Sequence, residues 1–82
     1  MNAYKNLLSD TEVKKLAALD RWHAALDDVT LRRDNPDGYH EELIRRADEL
    51  DRLGKITFEE WRTLRLDADQ AWLRAVSGDD YR

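Results

Sequence analysis

Residues 53–61, Leu-Gly-Lys-Ile-Thr-Phe-Glu-Glu-Trp, constrain the fold of this chain more than any other stretch. Gly54 suits the left-handed backbone position that closes a helix, because it has no side chain to clash there. Thr57, followed three residues later by Glu60, forms the capping-box pattern that begins a helix. The stretch therefore predicts the end of one helix, a tight corner and the start of the next helix.

Two further signals set the remaining helix boundaries. Ser9 and Glu12 form a second capping box, which predicts that a first helix begins at Asp10. Asn35 can cap another helix, with Pro36 at its first position, where a missing N–H costs nothing. The sequence thus predicts three helices, over about residues 10–33, 36–53 and 58–76, followed by a short acidic tail over residues 77–82.

Each predicted helix has one apolar stripe at helical spacing. The stripes consist of Leu16, Leu19, Trp22, Leu26 and Val29; Tyr39, Leu43, Ala47 and Leu50; and Trp61, Leu64, Ala68, Trp72 and Ala75. Short corners between successive helices favour antiparallel neighbours, and 82 residues suffice for one domain. The predicted fold is therefore all-α, a small antiparallel three-helix bundle over residues 1–82. The alternative is a more open set of helices that a second copy completes by dimerisation.

Composition narrows the classes of function. The chain has 14 basic and 18 acidic residues, a net charge of −4 and a pI of about 5.1, which argues against nonspecific nucleic-acid binding. It has no cysteine, which excludes disulfides and thiolate metal sites. The sequence has no apolar run of the roughly 20 residues that a membrane span needs, and residues 1–8 lack the apolar core of a signal peptide. We therefore expect a cytoplasmic protein with no membrane partner.

The sequence contains few candidate ligand residues for a metal or a cofactor. A zinc site needs three or four ligands, and His23 and His40 lie at helix edges, on helices whose predicted packing keeps them apart. Residues 49–60 resemble the second half of an EF-hand loop, with Gly54 at the sixth position of the pattern. The first half departs from that pattern, because Leu53 at the fifth position has no side-chain oxygen. We expect no bound metal and no cofactor.

The corner is also similar to the short helical hairpins at bacterial protein C-termini known as SHOCT domains. That family shares a pattern of leucines, a glycine and then Ile-Thr-x-Glu-Glu. The residues that carry the likeness here are Leu50, Leu53, Gly54, Ile56, Thr57, Glu59 and Glu60. The resemblance implies a helical hairpin about this corner.

Catalytic patterns do not stand out. The chain has no glycine-rich phosphate loop, and Ser9 and Ser77 suit helix ends better than a nucleophile's position. The carboxylates fall on solvated helix faces rather than in settings that would tune them for acid–base chemistry. The sequence therefore predicts a protein that is not an enzyme.

The sequence has more apolar residues than one buried stripe per helix requires. On the third predicted helix, Leu66 and Leu73 lie off the main stripe. Either each helix buries a wide face within the bundle, or these residues form a protein interface with a polar rim. A similar strip on the first predicted helix contains Val13, Ala17, Ala24 and Leu31. The candidate interface residues are Leu66, Leu73, Arg62 and Asp69, with Val13 and Leu31 second.

The predicted function is that of a non-enzymatic protein-interaction module that binds and modulates another protein. Small phage- or plasmid-encoded inhibitors of host machinery, anti-CRISPR proteins among them, are analogous in size and charge alone. A structural homo-oligomerisation domain is one alternative. Another is a nucleic-acid-associated transcriptional regulator, although Glu59 and Glu60 would open its recognition helix with carboxylates. The arginines available to such a regulator are Arg32, Arg33, Arg45 and Arg46.

Overall fold

A computed structural model describes residues 9–78 of the chain. Over that range it is all-α, which confirms the predicted fold class, and it contains four helices and no strand. The predicted tail lies outside the described residues from residue 79 onward. The helices are α1 (Asp10–Leu26), α2 (Val29–Asp34), α3 (Pro36–Arg52) and α4 (Phe58–Ser77).

Three of the four helices, α1, α3 and α4, begin at the predicted caps. The Ser9 hydroxyl accepts a hydrogen bond from the Glu12 N–H at 3.2 Å, and the Glu12 carboxylate accepts one from the Ser9 N–H at 3.2 Å. The same reciprocal pair joins Thr57 and Glu60, at 3.1 and 2.8 Å. The Asn35 side chain caps α3. These bonds satisfy amide groups that the first turn of a helix otherwise leaves without partners.

The corner between α3 and α4 also follows its predicted form. Gly54 adopts a φ of 70°. Its N–H donates to the Asp51 carbonyl at 2.9 Å, and the Lys55 N–H donates to the Leu50 carbonyl at 2.9 Å. Together these bonds form the Schellman motif that closes a helix through a left-handed residue. Ile56 is buried under the corner and joins the core, so the turn is fixed by packing as well as by hydrogen bonds.

The prediction of one helix over residues 10–33 is wrong. α1 ends at Leu26, and the Asp28 carboxylate accepts a hydrogen bond from the Leu31 N–H at 3.1 Å, which caps α2. The apolar periodicity continues across the break, but an aspartate favours a cap over a helix interior. The three predicted helices are therefore four. The second apolar strip from Val13 to Leu31 required one continuous helix and is wrong for the same reason.

Three helices meet at the end of α1. The Tyr39 hydroxyl of α3 donates to the Leu26 carbonyl, and the Arg32 guanidinium of α2 donates to the same oxygen at 3.3 Å. Arg32 also lies over the Tyr39 ring, 5.9 Å from its centroid. A carbonyl that the end of α1 leaves without an intrahelical partner is thus used to join α1, α2 and α3.

The core lies mainly between α3 and α4, with α1 packed on α3. Trp22 brings α1 into it: the indole is buried and its N–H donates to the Leu43 carbonyl at 3.0 Å. Leu16 and Val29, which the sequence placed on the buried stripe, are exposed. The buried cluster consists of Trp22, Tyr39, Leu43, Ala47, Ile56, Leu64, Ala68 and Ala71.

A matched pair of leucine truncations tests this core. Leu43 is 1% exposed and Leu66 is 50% exposed, and both lie in helices. We expect Leu43→Ala to lower the free energy of unfolding by about 2–5 kcal/mol, because it leaves a cavity. Leu66→Ala should change it by less than about 0.5 kcal/mol. Urea unfolding followed by circular dichroism measures both, and equal losses would contradict the assignment of Leu66 to the surface.

Candidate functional site

The exposed side of α4 carries a regular seam of residues. Leu66 and Leu73 are 50% and 56% exposed, and Val76 is also exposed. Arg62 and Asp69 alternate with the leucines and are exposed too. The residues recur at intervals of four, three, four and three, which keeps them along one line of a helix. We call this set, Arg62, Leu66, Asp69, Leu73 and Val76, the outer strip.

The outer strip lies opposite the side of α4 that packs into the core. Ala71 and Ala75 are buried, and at 100° per residue they lie about half a turn from Leu73 and Leu66. Leu66 and Leu73 therefore do not belong to a wide buried face, which was the first of the two sequence interpretations. Phe58 extends the apolar surface at the start of α4, where its ring lies 5.6 Å from that of Trp61.

The six predicted interface residues do not all lie on one helix. Leu66, Leu73, Arg62 and Asp69 share the outer strip. Val13 lies on α1 and Leu31 on α2, and both are exposed. Because α4 carries four of the six predicted residues in one continuous seam, it is the candidate site.

Two tryptophans of α4 border α3. The Trp61 indole N–H donates to Asp48 at 2.8 Å, and the Trp72 indole N–H donates to Asp37 at 2.9 Å. Their partners move toward the start of α3 as α4 proceeds, which is the order of a helical hairpin about Gly54. Both tryptophans are half-buried rather than fully buried, so each packs its ring against the core and keeps its polar edge at the surface.

A groove between α3 and α4 adjoins the outer strip. Its cavity measures about 430 Å³. His40 donates from Nε2 to the Asp69 carboxylate at 2.7 Å, yet the Asp69 side chain remains 53% exposed. Asp69 and Leu73 belong to both the groove and the outer strip, so the two surfaces are continuous. The lining residues are Asp37, His40, Glu41, Asp69, Trp72 and Leu73.

Sequence reasoning missed this groove. It singled out Asp69, but Asp37 and Glu41 lie about thirty residues earlier and come into place only through the hairpin register. No spacing in the sequence signals the groove, because its two sides belong to different helices. The groove places three carboxylates beside the apolar walls of Trp72 and Leu73. Such a surface is electrostatically complementary to a cationic side chain with an apolar stem.

The outer face of α3 holds a separate ion-pair cluster. Glu42 accepts hydrogen bonds from Arg45 and Arg46, each at 2.7 Å at its closest. Hydrogen bonds from Arg45 and then Arg46 hold the pKa of Glu42 at about 2, below its ordinary value of 4.5. Both arginines proposed for nucleic-acid contact on this helix are thus already paired.

Metal binding and membrane insertion receive no support from residues 9–78. In residues 9–78, no group of three or more His, Cys, Asp or Glu side chains is placed to hold a metal ion. His23 donates from Nδ1 to the Leu19 carbonyl at 2.8 Å, a bond within α1. Over the same range, no helix combines the length and apolar character needed to cross a membrane.

Comparisons of the chain with known protein families, with curated proteins and with solved structures find no match.

The ion pairs of Glu42 predict how the stability of the fold depends on pH. Because the pKa of Glu42 is lowered in the folded state, its contribution to stability is present above the unfolded pKa of about 4.5 and is lost as the pH falls toward 2. We expect Glu42→Gln to be less stable than the native chain at pH 7 by under about 1 kcal/mol, since the pair is solvent-screened. Thermal unfolding across pH 7 to 2 should show the two stabilities converging below pH 4.5. A difference that stays constant over this range would contradict the assignment.

Proposed function

We propose that this chain is a non-enzymatic protein-interaction module whose outer strip binds a surface of another protein and modulates that protein by covering the surface. The observation that carries the proposal is the pair of half-exposed leucines, Leu66 and Leu73, aligned on the side of α4 opposite the core. Apolar surface exposed in one patch and flanked by charges is typical of protein-binding sites.

Rough energetics support a binding role. Complete burial of a leucine side chain contributes about 1.5–3 kcal/mol, and about half of each of Leu66 and Leu73 is still accessible. A partner that covers both gains on the order of 1 kcal/mol from each. Phe58 and Val76 add further apolar area at the two ends. The strip is therefore suited to act as the apolar centre of an interface, with Arg62 and Asp69 contributing orientation.

The nucleic-acid alternative receives less support. Arg45 and Arg46 are paired with Glu42, and Arg32 holds the end of α1. α4 begins with two acidic residues in its first turn. Phosphate binding would require unpaired cations on one face, and these contacts occupy three of the four arginines named for that role.

A paired substitution tests the proposed function. Leu66→Asp with Leu73→Asp places two carboxylates in the apolar centre of the strip. A photo-crosslinking amino acid replaces Gln70, an exposed position beside the strip. It reports contacts with other proteins in the cell that expresses the chain. We expect the native chain to form a discrete crosslinked product with another protein. The double variant should lose at least about tenfold of that product, because desolvated charges oppose burial.

The control adds the same negative charge elsewhere on α4. Thr63→Asp with Arg74→Gln changes the net charge equally and lies outside the strip, along the exposed line of α4 that contains Gln70. This variant should keep the crosslinked product, and far-UV circular dichroism should show equal helicity for all three chains. The proposal is wrong if the native chain gives no product, if both variants lose it alike, or if the leucine variant unfolds.

A further inference from the structure

We infer that a second copy of this chain covers the outer strip when no other protein is bound, with the two α4 helices antiparallel about a two-fold axis beside Leu66. The inference rests on the proposed function for the use of this strip, and it adds what occupies the strip in the free protein. Its support is the order of charged and apolar residues along the exposed side of α4.

The exposed residues of α4 are arranged almost symmetrically about Leu66. Arg62 lies four residues before Leu66, and Asp69 lies three residues after it. Farther out, Phe58 lies eight residues before and Leu73 seven residues after. At 100° per residue, these five positions fall within an arc of about 80° on the helix. The exposed side therefore has an apolar centre, a charge of opposite sign on each side of it, and an apolar residue beyond each charge.

This arrangement is complementary to itself in an antiparallel pair of α4 helices. A two-fold interface needs such a surface, because each contact is repeated with the two copies exchanged. In the register centred between residues 65 and 66, Arg62 of each copy lies level with Asp69 of the other. Phe58 then lies level with Leu73 of the other copy, and the two Leu66 side chains lie beside the axis. One register thus pairs unlike charges twice and apolar residues with apolar residues.

The same charges disfavour two other ways of pairing two copies. In a parallel pair, equivalent residues share a layer, so Arg62 would face Arg62 and Asp69 would face Asp69. An antiparallel register that sets Leu66 against Leu73 of the other copy brings the two Asp69 carboxylates together near the axis. Like charges that meet in an interface oppose association. Of these three arrangements, the register centred beside Leu66 is the one that pairs unlike charges.

The side chains that this register pairs are accessible in the single chain. Phe58 is 67% exposed, Leu66 50% and Leu73 56%. The Asp69 side chain is 53% exposed although it already accepts a hydrogen bond. Within residues 9–78, Arg62 forms no side-chain hydrogen bond or ion pair. Its charge is therefore available to a carboxylate of the second copy.

Arg65 also lies next to the axis, but contacts within its own chain hold it. Its guanidinium donates to the Asp48 carboxylate at 3.3 Å and lies 5.1 Å from the centroid of the Trp61 ring. Both contacts draw the side chain toward the border with α3. The repulsion between the two Arg65 side chains is thus reduced by a carboxylate in each copy, and Arg62 and Asp69 determine the register.

The length of the paired segment predicts a weak dimer. From Phe58 to Leu73 the helix is about 23 Å long, and two helices in contact over that length bury less surface than a standard protein interface. We therefore expect a Kd on the order of micromolar. Such a dimer leaves the strip open to another protein that binds it more tightly.

An exchange of charges between the two positions tests the pairing. Arg62→Asp leaves two carboxylates on the strip, and Asp69→Arg leaves two cations. In sedimentation velocity across a concentration series, we expect each single variant to dimerise at least about tenfold more weakly than the native chain. The double variant, Arg62→Asp with Asp69→Arg, should dimerise like the native chain, because it restores both contacts in reverse. A mixture of the two single variants should also pair. Recovery of the dimer in the double variant excludes unfolding as the cause of the losses.

Disulfide formation tests the orientation, since the chain has no cysteine of its own. A mixture of Phe58→Cys and Leu73→Cys should give the mixed disulfide, because these positions lie level in the antiparallel pair. Leu73→Cys alone is the control. Its two thiols would lie at opposite ends of the pair, too far apart for a disulfide. If Leu73→Cys links to itself as readily as to Phe58→Cys, the pair is not antiparallel and the inference is wrong.

The outcomes separate this inference from the proposed function. A native chain that stays monomeric up to millimolar concentration overturns the inference, and so do single charge variants that dimerise like the native chain. The proposed function then still depends on its own crosslinking test. If the native chain dimerises as expected but crosslinks in the cell to its own copies alone, the pairing is supported and the proposed function is wrong.

Discussion

The packing of α3 against α4 about Gly54 determines how the rest of the described structure is arranged. The left-handed turn reverses the chain, and the small side chains of Ala68 and Ala71 let the two helices approach closely. Once those alanines face α3, Trp61 and Trp72 fall at the border, where each indole N–H meets an aspartate of α3. The opposite side of α4, with Leu66 and Leu73, is then left outside the core.

The helix ends could be predicted from sequence because their causes are local. A capping box needs only residues within one turn, and the Thr57–Glu60 pair forms as its spacing requires. The break between α1 and α2 is local too, yet it was missed, because the apolar pattern runs on through Asp28. A side-chain cap there outweighs the continuity of the pattern. Apolar periodicity therefore predicts that a segment is helical better than it predicts where a helix is interrupted.

The candidate site could be predicted only in part, for a physical reason. The sequence shows that Leu66 and Leu73 lie off the main stripe, but their burial depends on how many helices surround α4. That number follows from tertiary packing, which a stripe of residues does not encode. The groove lined by Asp37, Glu41 and Asp69 is harder still to predict from sequence, because it depends on the hairpin register. Long-range contacts of this kind leave no spacing signal in one sequence.

In the proposed complex, the apolar and charged members of the outer strip have different roles. Leu66 and Leu73 resemble many other exposed leucines and contribute affinity without much discrimination. Arg62 and Asp69 add little net free energy, because each must lose water to pair. They do, however, penalise partners that place a like charge opposite either residue.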